Sequence, residues 1–276
     1  MTLRVLFLGT AAAEGIPAPF CECGICTHAR RVGGHDVRMR TATLINNDLL
    51  IDFGPDIVAS AQRLGISLSG VETLLVTHNH MDHWYPENLI LRAHWFRATP
   101  VPPLRVFGPE TVVGDLLTDA RWSQRAEEAM VSAEAVKPGG RWRGGRYQFM
   151  ALPAAHAGGE GALLYIISEG DRKLFYSTDT GPLSEQAWRM VAQEAPFDAV
   201  LMDETLGTWE TLGEHQGFDV FLQARQRFAD EGWMKDGALF VAFHFSHHAN
   251  PVHEELVQYF KPHGVTVAYD GLSLVL

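Results

Sequence analysis

The six residues His78-Asn79-His80-Met81-Asp82-His83 carry most of the information about the fold and chemistry of this chain. They follow the apolar run Leu74-Leu75-Val76, which is typical of a buried strand. Three imidazoles packed this closely repel one another when protonated, and burying them with a carboxylate but no partner costs free energy. Nitrogen and oxygen ligands of this kind bind Zn²⁺, Mn²⁺ or Fe²⁺. The cluster therefore predicts a metal site directly after a strand.

The spacing within this HxHxDH cluster also predicts its local structure. Side chains at every second position of an extended strand point the same way, so His78, His80 and Asp82 are expected on one face. His83 can join them only if the chain turns there, and a helix beginning near Asp82 would provide that turn. The alternative, a histidine-rich surface turn without a metal, agrees less well with such dense and regular spacing.

The length and composition favour a globular protein with one sizeable core. A chain of 276 residues, 46% of them hydrophobic, can form one such core or two domains at most. No run of about 18 apolar residues predicts a membrane span. The apolar segment 5–13 follows a single arginine and continues directly into Glu14-Gly15, so we do not interpret it as a secretion signal. We expect a cytoplasmic protein.

The net charge of -11 argues against an extended nucleic-acid-binding surface, which normally has an excess of basic residues. It remains compatible with a small anionic substrate, because bound metal ions dominate the local electrostatic field.

Hydrophobic periodicity predicts alternating strands and helices. The predicted strands are 3–10, 41–46, 49–53, 71–77, 147–152, 163–168, 173–177, 199–202, 239–243 and 265–269. The predicted helices are 56–64, 87–96, 110–119, 121–135, 184–193, 218–230 and 251–260. Two strand-rich halves, each with helices, predict two sheets packed face to face with helices outside. No linker rich in Pro, Gly or Ser marks a boundary, so we expect a single domain over residues 1–276.

Three further residues follow predicted strands later in the chain. His156 comes after Leu152-Pro153-Ala154-Ala155, Asp179 lies in Tyr176-Ser177-Thr178-Asp179-Thr180-Gly181, and His244 comes after Val241-Ala242-Phe243. Taken alone, each has an ordinary interpretation as a core histidine, a turn residue or a buried imidazole with a partner. With the HxHxDH cluster, however, their order resembles the metallo-β-lactamase superfamily over nearly the whole chain. The resemblance implies a four-layer αββα sandwich, of the α+β class, with metals at the edge of the sheets.

The resemblance also implies a dinuclear metal site and its ligands. One ion is expected on His78, His80 and His156, the other on Asp82, His83 and His244, with Asp179 bridging. Asp82 is given a catalytic role as well as a ligand role. Asp179 stands where the β-lactamases of the superfamily carry a cysteine, and this difference favours phosphodiester hydrolysis over β-lactam opening. The expected nucleophile is a hydroxide shared by the two ions.

The stretch Cys21-Glu22-Cys23-Gly24-Ile25-Cys26 contains all three cysteines of the chain. An odd number cannot all pair internally, and so tight a cluster in a cytoplasmic protein is typical of metal binding rather than of disulfides. Three thiolates need a fourth ligand for a closed tetrahedral zinc site. The alternative is three reduced thiols in a loop.

The fourth ligand could come from any of five histidines: His28, His35, His247, His248 or His253. We predict His247 on geometric grounds. His244 and His247 are three apart, and an odd spacing in an extended segment places their side chains on opposite sides. One can then reach the catalytic metals while the other reaches the cysteines, which completes a structural zinc site.

Three elements resemble the cyclic phosphodiesterases of the bacterial phosphonate-degradation (carbon–phosphorus lyase) pathway. They are the cysteine loop 21–26, the stretch His244-Phe245-Ser246-His247 and the closing Ala268-Tyr269-Asp270-Gly271. Relatives of this type form homodimers, so the resemblance implies a homodimer. Proteins of pyrroloquinoline-quinone biosynthesis share a similar cysteine loop but often lack part of the metal cluster, which is intact here.

Phosphodiester hydrolysis also needs a general acid, because an alkoxide leaves poorly. His215, in Gly213-Glu214-His215-Gln216-Gly217, lies between Asp179 and His244, where this family places a catalytic histidine on a loop. We predict that His215 is the acid, and the alternative is a solvated loop residue. Six histidines receive no role in catalysis: His28, His35, His94, His248, His253 and His263.

Three other functions are compatible with the same residues. One is an RNA-processing nuclease that resembles the tRNA 3′-end endonucleases, against which the acidic charge counts. Another is a lactonase. The third is a non-hydrolytic protein of cofactor biosynthesis or a di-iron redox protein. The sequence leaves open the natural substrate, the choice among Zn, Mn and Fe, and the oligomeric state.

Overall fold

Two seven-stranded sheets form the centre of the molecule. The structure is a computed structural model that describes residues 2–118, 125–156, 161–211 and 213–276. The first sheet has the order β14-β1-β2-β3-β4-β5-β6. Its strands are β1 (Arg4–Gly9), β2 (Ala42–Ile45), β3 (Leu49–Ile51), β4 (Thr73–Leu75), β5 (Leu104–Gly108), β6 (Val131–Ala135) and β14 (Ser273–Val275).

The second sheet has the order β13-β12-β11-β10-β9-β8-β7. Its strands are β7 (Arg141–Gly144), β8 (Tyr147–Pro153), β9 (Leu163–Glu169), β10 (Arg172–Ser177), β11 (Phe197–Asp203), β12 (Met234–Phe243) and β13 (Val265–Val267). The helices are α1 (Gly24–Val32), α2 (Ile57–Leu64), α3 (Glu110–Leu117), α4 (Glu185–Glu194), α5 (Phe218–Asp230) and α6 (His253–Phe260). None of the described helices is both long enough and apolar enough to cross a bilayer.

Three apolar clusters hold four layers together. Between the sheets, Phe7 of the first sheet packs edge-to-face against Phe243 of the second, with ring centroids 5.9 Å apart. A second cluster joins the outer face of the second sheet to helices α4, α5 and α6. A third covers the outer face of the first sheet with α2 and α3. The architecture confirms the αββα sandwich, because each sheet buries one face against the other sheet and one against helices.

Strand direction decides where the loops of this sandwich meet. In the first sheet, β3 runs parallel to β4. In the second, β10, β11 and β12 are mutually parallel, and β8 has the same direction because β9 is antiparallel to both β8 and β10. The carboxyl ends of parallel strands share one edge of a sheet, so the loops after these strands are brought together.

Several local predictions were wrong, and tertiary context explains them. The segment 131–135 is strand β6 rather than helix, because it pairs in parallel with β5 at the edge of the first sheet; residues 119–124 lie outside the described residues. The segment 87–96 forms 3₁₀ turns, Pro86–Arg92 and His94–Phe96, rather than an α-helix. Strands β5, β7 and β14 and helix α1 were not predicted.

The structure around the HxHxDH cluster also differs from the prediction. Strand β4 ends at Leu75, so His78 and His80 lie in a loop and not on a strand face. A turn takes the place of the expected helix at Asp82, with the backbone N–H groups of His83 and Trp84 both donating to the carbonyl of His80. Because of this turn, the side chains of His78, His80, Asp82 and His83 converge, whereas a straight strand would have placed them on two opposite faces.

Candidate metal centres

The histidines and aspartates chosen from the sequence all lie at one edge of the two sheets. The HxHxDH residues follow β4, His156 follows β8, Asp179 follows β10 and His244 follows β12. Tyr165 joins the two sheets at this edge, since its hydroxyl donates to the carbonyl of Val76 at 2.6 Å. Separate stretches of sequence thus become one cluster.

Two ligand groups share one aspartate. The first comprises His78, His80, His156 and Asp179, and the second comprises Asp82, His83, Asp179 and His244; within each group the ligand atoms lie within 4.8 Å of one another. The partition is the one that the sequence predicted. Because Asp179 belongs to both groups, it occupies the position that a bridging carboxylate requires.

The distances within these groups are those of ligand atoms around a common centre. His83 Nε2 lies 3.0 Å from Asp179 Oδ2 and 3.1 Å from Asp82 Oδ2. His156 Nε2 lies 3.1 Å from His80 Nδ1. Metal bonds of about 2.0–2.1 Å place neighbouring ligands of a tetrahedral ion about 3.3 Å apart.

Three buried atoms of the cluster lack a hydrogen-bond partner among the described residues. They are His78 Nε2, Asp179 Oδ1 and His215 Nδ1. His78 Nε2 does lie 3.2 Å from Asp179 Oδ2, so the two atoms are close without the directionality of a hydrogen bond. Buried polar atoms are normally paired. Nitrogen and carboxylate oxygen that face each other in this way fit a divalent cation between them.

Two buried aspartates that the sequence argument missed hold the histidines in place. Asp52, which follows β3, accepts a hydrogen bond from His83 Nδ1 at 2.8 Å and others from the backbone and hydroxyl of Thr77. A carboxylate at Nδ1 directs Nε2 toward a metal and increases its basicity. A single aspartate after a short strand carries no recognisable motif, so only its position behind His83 reveals this role.

Asp203 has the corresponding position behind His244. The hydroxyl of Thr205 donates to Asp203 Oδ2 at 3.0 Å and lies 2.8 Å from His244 Nδ1. Asp203 also lies 3.6 Å from His215 Nδ1. It is the last residue of β11, which lies between β10 and β12, the strands that precede Asp179 and His244. Each side of the site therefore has a buried carboxylate behind its histidine.

The backbone is strained at three of these residues. Asp52, Asp179 and His244 have φ values of 62°, 52° and 68°. Residues other than glycine seldom adopt this left-handed conformation, and it persists where surrounding structure enforces it. Here it turns each side chain toward the metal site at the point where a strand ends.

Two glycines allow the loops of the site to approach closely. A Cβ on Gly54 would lie 1.9 Å from the carbonyl oxygen of Asp82, and one on Gly181 would lie 2.0 Å from that of Gly213. The first contact seats the HxHxDH turn against the loop after β3. The second seats the loop that carries His215 against the loop that carries Asp179.

Charges in the cluster suit a cation. Burial would lower the pKa of His83, but the carboxylates of Asp82 and Asp52 raise it well above its ordinary value. Burial and the neighbouring His83 lower the pKa of His78 to about 4, so His78 is neutral and available as a ligand. A divalent cation at His83 Nε2 would balance the same carboxylates as the proton does and would release that proton.

His215 lies at the solvent side of the cluster, with its side chain 26% exposed. Its Nδ1 lies 3.1 Å from Asp179 Oδ1. Burial lowers the pKa of an imidazole, but the nearby carboxylates of Asp203 and Asp179 raise that of His215 to about 9. With Asp179, Asp203 and His244 it forms a further group of ligand-type atoms within 4.8 Å. His215 is thus near the metal groups and protonated near neutral pH.

A second, separate group comprises Cys21, Cys23, Cys26 and His247, again within 4.8 Å of one another. His247 Nδ1 lies 3.7 Å from Cys21 Sγ and 3.5 Å from Cys23 Sγ. Zinc bonds of about 2.3 Å to sulfur and 2.0–2.1 Å to nitrogen place such ligands about 3.6 Å apart in a tetrahedron. The donor set therefore fits zinc.

Backbone N–H groups surround the sulfurs. The N–H groups of Ala18, Cys23 and Cys26 lie 3.3–3.4 Å from the sulfurs of Cys26, Cys21 and Cys23. Cys23 is also the N-cap of α1, and these donors lower its pKa although burial opposes them. Burial raises the pKa of the Cys26 thiol to about 12. A metal would have to displace that proton, as zinc does when it binds thiols.

The other four histidines considered as fourth ligand are engaged elsewhere. His28 Nε2 lies 3.5 Å from Asp36 Oδ2, and His35 stacks on Tyr269 with ring centroids 3.8 Å apart. His253 Nδ1 lies 3.0 Å from Arg38 Nη2. His248 is exposed and stacks on a tryptophan. His247 has a carboxylate on its far side, Glu14, whose Oε1 lies 3.8 Å from Nε2 and accepts from Ser246 Oγ at 2.6 Å.

Comparison with known proteins shows the family and the fold of this chain. The family model described as "Beta-lactamase superfamily domain" matches residues 47–246. Among solved structures, a diphosphatase from the PhnP family superposes with a TM-score of 0.77 at 20% identity, covering 100% of this chain and 98% of the other. Zn²⁺-bound PqqB from Methylobacterium extorquens superposes with a TM-score of 0.70 at 17% identity, covering 98% and 99%. At such identities the two structures establish the fold.

Two curated relatives share sequence with the chain. An octanoyltransferase of Porphyromonas gingivalis is 25% identical over 282 aligned residues, which cover 99% of this chain and 52% of that protein. Coenzyme PQQ synthesis protein B of Methylobacterium radiotolerans is 35% identical over 94 residues, which cover 29% of this chain and 31% of that protein. The chain thus spans about half the length of the first relative and less than a third of the second.

Proposed function

We propose that this chain, which belongs to the beta-lactamase superfamily, is a dinuclear metal-dependent phosphodiesterase that acts on small phosphate esters, cyclic ones included. One observation carries the proposal: Asp179 is a member of both ligand groups. A carboxylate shared between two groups of three further ligands fits two adjacent ions. Such pairs act on phosphate esters because they orient the ester and neutralise its developing charge.

The residues of the chain supply orientation and proton transfer. Asp52 and Asp203 fix the imidazoles of His83 and His244 from behind, and Thr77 lies 3.0 Å from His78 Nδ1. Two divalent ions, when bound, supply an activated water and compensate negative charge on the substrate. Asp82, which burial disfavours as an anion, stays ionised because His83 lowers its pKa. It is therefore an anionic carboxylate that could serve as a ligand to one of the ions.

His215 is proposed as the general acid for the leaving alkoxide. Among the described histidines at this edge, His215 is the one that belongs to neither of the two groups that share Asp179. Its side chain is partly exposed, with Nδ1 3.1 Å from Asp179 Oδ1. Its raised pKa keeps a proton available for donation. The cysteine group is proposed as a structural zinc site, and Glu14 is suited to orient His247 within it.

A substrate panel tests the proposal. Protein loaded separately with Zn²⁺ and Mn²⁺ would be assayed with a five-membered cyclic phosphodiester, methyl nitrophenyl phosphate, a six-membered lactone and a cephalosporin. We expect the phosphodiesters to be hydrolysed with the highest kcat/KM, and Asp179→Asn to abolish that activity. A kcat/KM for the lactone above that for both phosphodiesters would contradict the proposal, and cleavage of structured RNA would favour the nuclease.

A second candidate is a role in cofactor biosynthesis without hydrolysis. The observation that favours it is the 35% identity to coenzyme PQQ synthesis protein B over 94 residues. If protein with both metal groups fully occupied leaves every ester of the panel intact, that result would support this candidate.

Small anionic substrates, a homodimer and a cytoplasmic location complete the proposal of a phosphodiesterase. Light scattering on the metal-loaded protein measures the oligomeric state.

A further inference from the structure

An apolar cavity of about 370 Å³ lies on the outer face of the first sheet, away from both groups of metal-ligand residues. Its floor consists of Leu50, Leu74 and Leu104, one from each of three neighbouring strands. Helix α2 forms one wall, and the segment 88–104 forms the opposite wall. The volume is within the range of sites that hold small molecules.

The rim of this cavity carries two arginines, Arg92 and Arg97. The guanidinium of Arg92 donates to the carbonyls of Val71, Pro102 and Ala129. That of Arg97 donates to the carbonyls of Arg92 and Thr99 and to the sulfur of Met130. Neither arginine has a carboxylate within ion-pair distance in the part of the chain that the structure describes. Among the described residues, these two half-buried cations thus meet peptide carbonyls and one thioether rather than a carboxylate.

The positive charges of Arg92 and Arg97 repel each other, and this repulsion affects the pKa of Arg92. Burial and, to a smaller extent, the charge of Arg97 together lower the pKa of Arg92 to about 10. An anion placed between two such cations would gain from both, because partly buried charges are poorly screened by solvent. The exposed side chain of Leu91, 43% accessible, lies on the same rim and extends the apolar surface outward.

We propose that this cavity binds an unbranched aliphatic carboxylate, with the hydrocarbon chain among the leucines and the carboxylate between Arg92 and Arg97. Apolar lining alone would accept any hydrophobic group, but a cationic rim selects one with a single anionic end. Arginine suits a carboxylate because its planar fork can donate two parallel hydrogen bonds. The site is independent of the metal chemistry proposed above, since no metal-ligand residue lines it.

The cavity nevertheless lies next to the edge of the sheets at which the histidine–aspartate cluster is found. Phe53 lines it, and the backbone N–H of Phe53 donates to the carbonyl of His83 at 2.7 Å. The preceding residue, Asp52, has its side chain on His83 instead. A bound aliphatic chain would therefore pack against the outer side of the strand end whose inner side supports a metal ligand.

Titration calorimetry with the metal-loaded protein tests the site. The probes are hexanoate, octanoate, decanoate and decan-1-ol, each kept below its micelle concentration. We expect one carboxylate to bind per chain. The affinity should rise about fourfold for each methylene group added, since each buried methylene contributes about 0.8 kcal/mol. Decan-1-ol, which lacks the charge, should bind at least tenfold more weakly than decanoate.

Two pairs of variants locate the binding. Ala61→Phe fills the cavity from α2, and Ala59→Phe adds the same group on the exposed side of the same helix as its control. Ala61→Phe should lower decanoate affinity at least tenfold, and Ala59→Phe should leave it unchanged. Arg97→Gln should weaken decanoate but not decan-1-ol, whereas Arg105→Gln, which removes an exposed arginine paired with Glu134, should affect neither.

The proposal is overturned if decanoate does not bind, or if it binds both phenylalanine variants equally. Equal affinities of decanoate for the wild type and Arg97→Gln would also overturn it, and this variant keeps the test valid should Ala61→Phe fail to fold. Measuring phosphodiester hydrolysis in parallel separates the two proposals, because carboxylate binding does not require activity.

Discussion

The two groups of ligand-type residues differ in how the chain assembles them. The histidine–aspartate cluster collects its members from loops after four different strands, and nearly all of them are buried. The cysteine group takes three members from one six-residue stretch, and two of these cysteines are half-buried. The first therefore exists only when both sheets have formed, whereas the second needs only one long-range contact, to His247.

The residues that surround the two groups also differ. Buried carboxylates, strained backbone and a partly exposed histidine surround the first group. The second has four ligand atoms, backbone donors around its sulfurs and a single carboxylate behind its histidine. Structural zinc sites are closed by four protein ligands, and catalytic ones keep a position open. This difference agrees with the proposal that the first group is catalytic and the second structural.

The largest effect on rate is expected from Asp179→Asn. An amide cannot serve two cations as a carboxylate does, so both catalytic ions should bind weakly and phosphodiester hydrolysis should fall by about 10³-fold or more. Metal analysis and kcat/KM of the same preparation measure this. Asp198→Asn, which changes a buried carboxylate paired with Arg172 and Lys235, is the control and should keep both ions. Full metal content in Asp179→Asn would argue against a bridge.

Replacing His215 by alanine should separate proton transfer from metal binding. A positioned general acid contributes about 10²–10⁴-fold in rate. We expect a loss of that order on alkyl phosphodiesters and a much smaller loss on nitrophenyl esters, whose leaving group needs little protonation. Both catalytic ions should remain. Equal losses on the two ester types would indicate substrate binding instead, and loss of an ion would make His215 a ligand.

Asp52→Asn should have an intermediate effect. The amide cannot enforce the orientation and basicity of His83, and such changes behind a metal ligand typically cost about 10–100-fold in metal affinity or activity. The measurement is a competition titration with a metal-binding dye at fixed pH. Excess metal should restore most of the activity, which would distinguish this variant from Asp179→Asn. Unchanged affinity would mean that Asp52 serves only the fold.

Cys23→Ser should change the catalytic rate least and stability most. One zinc per chain should be lost, and Tm should fall by several degrees, because about 1 kcal/mol corresponds to roughly 2–4 °C in domains of about this size. The phosphodiester rate at low temperature should stay within about tenfold of the wild type. Glu22→Gln, in the same loop but with an exposed side chain, is the control. An unchanged zinc content and Tm would show that the cysteine group does not hold a structural zinc ion.

The sequence predicted those parts of the site in which several ligand-type residues stand close together in the chain. The HxHxDH cluster and the cysteine loop combine several ligand-type residues within six positions, and few other chemistries need such density. Hydrophobic periodicity located most strands and helices, and the αββα architecture was confirmed. The superfamily resemblance, now matched by a family model, supplied the remaining members.

The parts that were missed depend on contacts distant in sequence. Asp52 and Asp203 are single aspartates at strand ends, and nothing nearby distinguishes them from turn residues. Strand β6 has mostly partly or fully exposed side chains, so pairing with β5 rather than burial defines it. The turn at Asp82 follows from hydrogen bonds to His80, which a strand-face argument does not contain.

The short segment between His244 and His247 gives the two groups a thermodynamic connection. One of its two residues, Phe245, is fully buried. The backbone of Phe245 forms hydrogen bonds with Thr10 and Ala12, in the segment that leads to the cysteines. An ion at either end of this segment restricts the same backbone, so the entropy lost at the first binding event is not lost again at the second. Metal uptake would then be cooperative, and linkage requires that each group alter the affinity of the other by the same factor.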